Sequence, residues 1–217
     1  MSFTGNGKDT ATRILDAAEV LFVEHGFEAT SLRMITQRAA VNLAAVNYHF
    51  GSKEVLFQGV ISRRLAPYNQ ECIEELRQAL IDAPHGLSVD SIVAAYLRPA
   101  IRLAKDPARG GIIFIRLMSR VFAEPHDSLR DMLPRLYSDV LEAYRAALVK
   151  ALPHLGSHEV SWRLQFAMGT IFYAFAGNDV ARLLSQNNVP GARDPQEIVK
   201  HLVPFVVAGL TAPNRPA

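Results

Sequence analysis

Apolar positions recur along most of the chain at steps of three and four residues, with almost none of the strict alternation of a strand and no internal repeat. That pattern predicts an all-α protein. After a polar start, Ile14, Leu15, Ala18, Leu21 and Phe22 share one face of a helix expected over 11–25, which Gly26 ends. Thr30 or Ser31 caps a short second helix, Asn42 caps a third that ends near Gly51, and Ser52 caps a longer fourth beginning at Lys53. Pro67 is expected to kink or break that fourth helix. Farther on the elements lengthen. Breaks such as "DAPHGLS", "KDPARGG", "AEPHD", "LPHLGS" and "NNVPGARDP" delimit helices over 88–105, 111–123, 128–152, 157–185 and 195–210. Element length divides the chain into a compact three-helix head, residues 1–52, and a larger helical body, residues 53–217.

The second and third helices read as a pair. Leu32, Ile35 and Ala39 on one, with Val41, Val46 and Phe50 on or beside the other, form an apolar seam across a turn of a few residues, which is a helix-turn-helix. The remaining side chains of the third helix, Asn42, Ala44, Ala45, Asn47, Tyr48 and His49, are short or hydrogen-bonding. Small groups permit close approach to a DNA groove and pack on thymine methyls, while amide and imidazole groups reach bases or phosphates. Tyr48 and His49 oppose Val46 and Phe50 on the wheel, so they read as DNA contacts rather than core. Arg33 can add a bidentate contact to guanine, and Lys53 sits where its charge and the unpaired amides of a helix N-terminus both face a phosphate.

The stretch "RILDAAEVLFVEHGFEATSLRMITQRAAVNLAAVNYHFGSKEVL" resembles the DNA-binding head of the TetR family of bacterial transcriptional regulators, and the HF-x-x-K core in "HFGSK" is its most specific part. The resemblance implies phosphate-contacting positions at Ser31, Tyr48, His49 and Lys53, and base-facing positions at Arg33, Leu43, Ala44, Ala45 and Asn47. Three residues depart from the family pattern. Ala40 stands where Gly is frequent in the turn, so it either bears strain of order ~1 kcal/mol or bends the turn differently. Leu43 replaces a polar or basic residue and Asn47 a tyrosine, so base preference does not carry over from other members. The body, including "SWRLQFAMGT" and "VPFVVAGL", is similar to the fatty-acid-responsive subgroup.

Composition narrows the alternatives. The 217 residues are 49% hydrophobic and 20% charged with a formal net charge of +2, so no overall field draws the protein to nucleic acid or to an anionic membrane. Through Arg64, seven basic residues stand against six acidic ones, a net charge of +1, and one head alone should bind DNA weakly. Two heads held at the spacing of successive major grooves gain affinity by tethering, which predicts a homodimer on a near-palindromic double-stranded operator. No apolar run is long enough to span a bilayer and "MSFTGNGKDT" lacks signal-peptide character, so a cytoplasmic protein without membrane partners is expected. The single Cys72 reads as an inert packed thiol.

Between Leu164 and Phe175 the chain is apolar nearly all round, with Gly169, Ala174, Ala176 and Gly177 allowing close helix approach. The last helix, "EIVKHLVPFVVAGL", is similar, and the resemblance implies that these two helices form a four-helix bundle with their two-fold mates. A sensor pocket in the body is expected to draw on Tyr96, Phe114, Arg116, Met118, Phe122, Tyr137, Trp162, Phe166 and Phe172, with Leu117 and Val121 also on the apolar side. Arg116 and Arg120, four apart on an otherwise apolar helix, suggest an anionic head group on a long tail, such as a fatty acid or acyl thioester. Their alternative is a solvated stripe. His154 and His158 read as a loop pair without a metal, and "RGG" at 109–111 lacks the Lys-Ser/Thr ending of a phosphate loop and reads as a linker. No cofactor is expected. The combined reading is a repressor released by an apolar or acyl-type effector; the alternatives are a ligand-independent DNA-binding dimer and, remotely, an enzyme.

Overall fold

The computed structural model describes residues 7–123, 127–129, 131–175 and 194–214, and no strand occurs among them. The helices are α1 (Gly7–Ala29), α2 (Leu32–Ala39), α3 (Leu43–Phe50), α4 (Lys53–Asp82), α5 (Val89–Ala104), α6 (Gly111–Ala123), α7 (Met132–Ala151), α8 (Ser157–Phe175) and α9 (Pro195–Thr211). Short 3₁₀ turns at Pro107–Arg109 and Asp127–Leu129 flank α6. The expected continuation of α8 to residue 185, with Ala176 and Gly177, lies outside the described residues.

Local chemistry sets the head's helix ends. Ser31, Asn42 and Ser52 are extended N-caps whose side-chain oxygens accept from the backbone N–H of Met34, Ala45 and Val55, each satisfying one of the orphan donors of a helix start. Gly26 breaks the helical path of α1 at φ 80°, a conformation that suits glycine. The last turn is tied back by the Thr30 hydroxyl, 2.7 Å from the Gly26 carbonyl and 3.1 Å from that of Leu21. Thr30 is therefore a buried strut and Ser31 the cap.

Pro67 does not break α4. The helix runs unbroken to Asp82, although proline removes one backbone donor and crowds the preceding turn. Burial explains the persistence: Leu65, Tyr68, Asn69, Cys72 and Leu76 on both sides of Pro67 are buried, and α4 packs on α1, α5 and α7. α4 is thereby common to both halves of the chain. In the body, α5 packs against α4 and α9, α6 against α1 and α8, and α8 against α9. The buried Arg163 locks the last pair, donating to the Leu210 carbonyl at 2.9 Å and to Glu159 at 2.8 Å.

Cys72 is buried at this junction, and burial pushes its thiol up to about 12. Only the thiolate alkylates. Cys72 should therefore resist iodoacetamide at mildly alkaline pH in the folded protein and react readily in denaturant, which mass spectrometry can follow; fast labelling of the native protein would show that the packing around α4 opens.

Candidate nucleic-acid interface and body cavity

Helix α3 buries Val46 and half-buries Ala45, His49 and Phe50, leaving Leu43, Ala44, Asn47 and Tyr48 outside. These four form two rows one helical turn apart, Leu43 above Asn47 and Ala44 above Tyr48. Leu43 is 50% and Tyr48 86% exposed, values that no core role requires. Tyr48 stands edge-on to His49 with ring centroids 5.1 Å apart, so a phenol and an imidazole lie side by side at the end of the row. Ala45 is half-buried, touching the head core on one side and leaving part of its methyl accessible on the other.

The flanking residues are set by α1, α2 and α4. Arg33 is exposed, and its side chain has no hydrogen-bond or ion-pair partner among the described residues. Ser31 is exposed as well; its oxygen accepts from Met34 N at 3.2 Å, which leaves the hydroxyl hydrogen free to be donated. Lys53 is held at the start of α4, its Nζ 4.2 Å above the Phe27 ring and 3.3 Å from the Glu28 carbonyl, with further ammonium donors to spare. Other head cations are engaged internally: Arg63 and Arg64 pair with Asp16 and Glu19, and Arg38 lies 3.7 Å from Glu24. Arg33 and Lys53 thus stand out as cations beside the α3 rows.

The turn between α2 and α3 shows a residue that sequence reasoning missed. Ala40 adopts the left-handed conformation, φ 51° and ψ 49°, so it carries the strain rather than bending the turn differently. Its N–H bonds the Gln37 carbonyl, the Val41 N–H bonds that of Thr36, and Arg13 of α1 donates to the Ala40 carbonyl at 2.9 Å and to that of Ala39. Arg13 thereby fixes α1 to the end of α2. A lone arginine on a helix gives no sequence signal of such a bond across 27 residues.

In the body, Ile92, Val93 and Tyr96 of α5, Val140, Tyr144 and Leu148 of α7, Leu164 and Met168 of α8, and Val206 and Leu210 of α9 are among the residues around a cavity of about 30 Å³. Its tyrosine hydroxyls are engaged: Tyr96 with Tyr137 at 2.9 Å, and Tyr144 donating to the Cys72 carbonyl at 2.9 Å. Burial holds Tyr96, Tyr137 and Tyr144 well above the usual phenol range, so they stay neutral. The described lining is apolar and uncharged, and the space is far smaller than the ~300 Å³ at which small-molecule pockets begin.

Known proteins share both halves of this arrangement. The profile of bacterial regulatory proteins of the tetR family matches residues 14–60, and that of the tetracyclin repressor-like C-terminal domain matches residues 94–209. The chain belongs to the TetR family. Among curated members, the HTH-type transcriptional repressor BepR of Brucella suis biovar 1 (strain 1330) is 28% identical over 162 residues, 73% of each chain. The HTH-type transcriptional regulator UidR of Escherichia coli (strain K12) is 42% identical over 52 residues, 24% of this chain and 26% of UidR. Two solved structures share the fold: the SmeT–triclosan complex, with TM-score 0.61, 22% identity and coverage of 96% and 98% of the two chains, and Salmonella enterica GusR, with TM-score 0.55, 19% identity and coverage of 97% and 99%.

As a TetR-family member the chain is a DNA-binding regulator, and among the described residues no helix is long and apolar enough to cross a membrane. The cavity between α5, α7, α8 and α9 draws on part of the residue set expected for a pocket. Of the nine residues anticipated there, Tyr96 lines the cavity, and Tyr137 reaches it only through the Tyr96 hydroxyl. Phe122 and Phe172 stack at 3.9 Å, with Tyr137 edge-on to Phe122 at 5.2 Å, in an aromatic cluster beside the cavity. Phe114 and Met118 are buried on α6, and no described side chain of that helix is in the lining. Trp162 and Phe166 are 46% and 64% exposed, because they lie on the face of α8 opposite Val160, Ala167 and Ile171. Arg116 is half-buried on α6 and away from the lining, and the side chain of Arg120 lies outside the described part. Among the described residues around this cavity none is charged.

Proposed function

We propose that this TetR-family protein is a homodimeric repressor of a near-palindromic operator, released when an apolar effector enters the body. The exposed rows of α3, with Arg33, Ser31 and Lys53 beside them, carry the DNA half of this reading. We place the division between head and body at Ser52, so that α4 starts the body and runs between the two. Arg33 reads a guanine through a bidentate contact, the methyls of Leu43, Ala44 and Ala45 favour an A/T run, and Asn47 offers an amide to the groove. Ser31, Tyr48, His49 and Lys53 contact phosphates and fix the register.

Arg33→Ala is expected to relax discrimination at one guanine per half-site, costing about 1 to 3 kcal/mol, as measured by binding to a panel of single-base operator variants. Lys53→Ala should weaken all sequences alike and flatten the salt dependence. Selection of binding sites from random duplexes tests the whole DNA reading, and recovery of non-palindromic, all-G/C sites would overturn it.

The effector half rests on the apolar cavity between α5, α7, α8 and α9. A ligand larger than a few atoms must part these helices, and its binding is then coupled to a change in the body and, through α4, to the heads. A long acyl chain, free or as a thioester, suits this lining, since each buried methylene contributes about 0.8 kcal/mol. Acyl chains of increasing length titrated against the protein–operator complex should release DNA increasingly well. Release by an organic cation, with no effect of acyl chains, would replace this effector class.

A further inference from the structure

Three pieces of the molecule meet on one carboxylate. Glu19, on α1, is 3% exposed. Its Oε2 accepts from Arg63 Nη2 and, at 3.2 Å, from Arg64 Nε, both on α4, while Arg63 also donates to Asp16 at 2.6 Å. Its Oε1 is buried without a hydrogen-bond partner among the described residues and lies against Gly110, in the turn between α5 and α6. A Cβ at position 110 would sit 2.8 Å from that oxygen, 3.0 Å from Phe114 Cβ and 3.2 Å from Arg64 Nε, and Gly110 has φ +98°. Space and backbone conformation both demand glycine here. Gly110 immediately precedes α6, whose N-terminal amides favour a nearby carboxylate.

The same turn is held by α4 at two further points. Arg64 Nη1 donates to the Ala108 carbonyl at 3.3 Å, and Arg109 pairs with Glu71. The segment that reads as a plain linker is thus seated on α1 and α4 together. A buried carboxylate shared by two guanidiniums has little freedom to slide, since losing either partner leaves a charge uncompensated in the interior. Helix α1 in turn packs on α2 and α3 and is bonded to the α2 end through Arg13.

We propose that Glu19, with Arg63 and Arg64, is a clasp that fixes the orientation of the DNA-binding head on the body, and that Gly110 is the seat on which the α5–α6 turn engages it. Glu19 is a positioning residue: it is buried and contacts no DNA. The inference rests on the two-headed reading above, because head orientation matters for affinity when two heads must reach two half-sites at once.

The test compares wild type, Glu19→Gln and Gly110→Ala on a selected full operator and on a duplex carrying one half-site. It also measures a head-to-body distance between spin labels at Q37C and S138C, with labelled chains diluted in unlabelled protein; Cys72 is buried and remains unlabelled. Gln keeps the size of Glu19 and removes its charge, whereas the added methyl at 110 displaces the carboxylate from the body side without altering the head. Both variants should lose about tenfold or more on the full operator, keep half-site affinity, and show a broadened distance distribution. Loss on both duplexes with an unchanged distribution would mean damage to the head and overturn the clasp, as would wild-type behaviour on all counts or a broadened distribution without loss of full-operator affinity. Should Glu19→Gln fail to fold, Gly110→Ala decides. If wild type binds the full operator no better than the half-site, the two-headed reading fails, and the distance measurement alone decides whether the clasp orients the head.

Discussion

Replacing Phe166 and Phe205 together by aspartate is expected to give a monomer whose operator affinity is lower by about 10²- to 10⁴-fold. Helices α8 and α9 pack on each other and are locked by Arg163, yet they leave Trp162, Phe166, Tyr173 and Phe205 between 46% and 67% exposed. Trp162 and Phe166 stack, with centroids 5.9 Å apart, so the outer side of α8 exposes an aromatic pair beside Gly169 and Tyr173. Burying one such side chain contributes about 1.5 to 3 kcal/mol, and in the proposed two-fold dimer each side chain counts once from either protomer. Aspartate at 166 and 205 removes that gain and sets like charges against each other across the axis. The head is untouched, so half-site binding should persist while the tethering advantage disappears. Sedimentation velocity and fluorescence anisotropy on full and half-site duplexes measure the two effects; a variant that stays dimeric with full affinity would place the dimer surface elsewhere.

Phe22→Ala should destabilise the head by about 3 to 5 kcal/mol and abolish operator binding at ambient temperature. Phe22 is 1% exposed, and its ring lies 4.7 Å from that of Phe57 and 5.8 Å from that of Phe27, which themselves are 4.9 Å apart. This trio joins α1 to α4, and Lys53 rests on Phe27. Truncation leaves a cavity at the base of α3's support, so the proposed recognition surface loses its platform although none of the residues proposed to contact DNA has changed. Circular dichroism should show an early head transition ahead of the body. A single transition at the wild-type temperature with operator binding intact would show that the trio is dispensable.

The contrast between these two sites shows what could be read along the chain. The helix-turn-helix was legible because its determinants are local: Ser31, Asn42 and Ser52 each cap a helix through an amide three residues on, and apolar spacing alone turns Val46 inward and Tyr48 outward. Family membership followed from the same stretch. That α4 continues past Pro67 was not legible, because the local cost of a proline, about 3 kcal/mol, is offset by burial on α1, α5 and α7 that no window around residue 67 contains. That Trp162 and Phe166 stay uncovered in the single chain was not legible, because apolar character does not say which side of an all-round apolar helix meets the core.

The sequence by itself therefore determined the helical class and the N-terminal helix-turn-helix, since caps, breaks and periodicity act within a few residues of where they are read. Tertiary structure decided the rest: which of the described aromatics line the cavity and which stay outside, and that Glu19 is a buried partner of Arg63 and Arg64. An acidic residue on an amphipathic helix looks solvated in sequence. Only the packing of α4 and the Gly110 turn against α1, with partners 44 and 45 residues away, takes that carboxylate out of water.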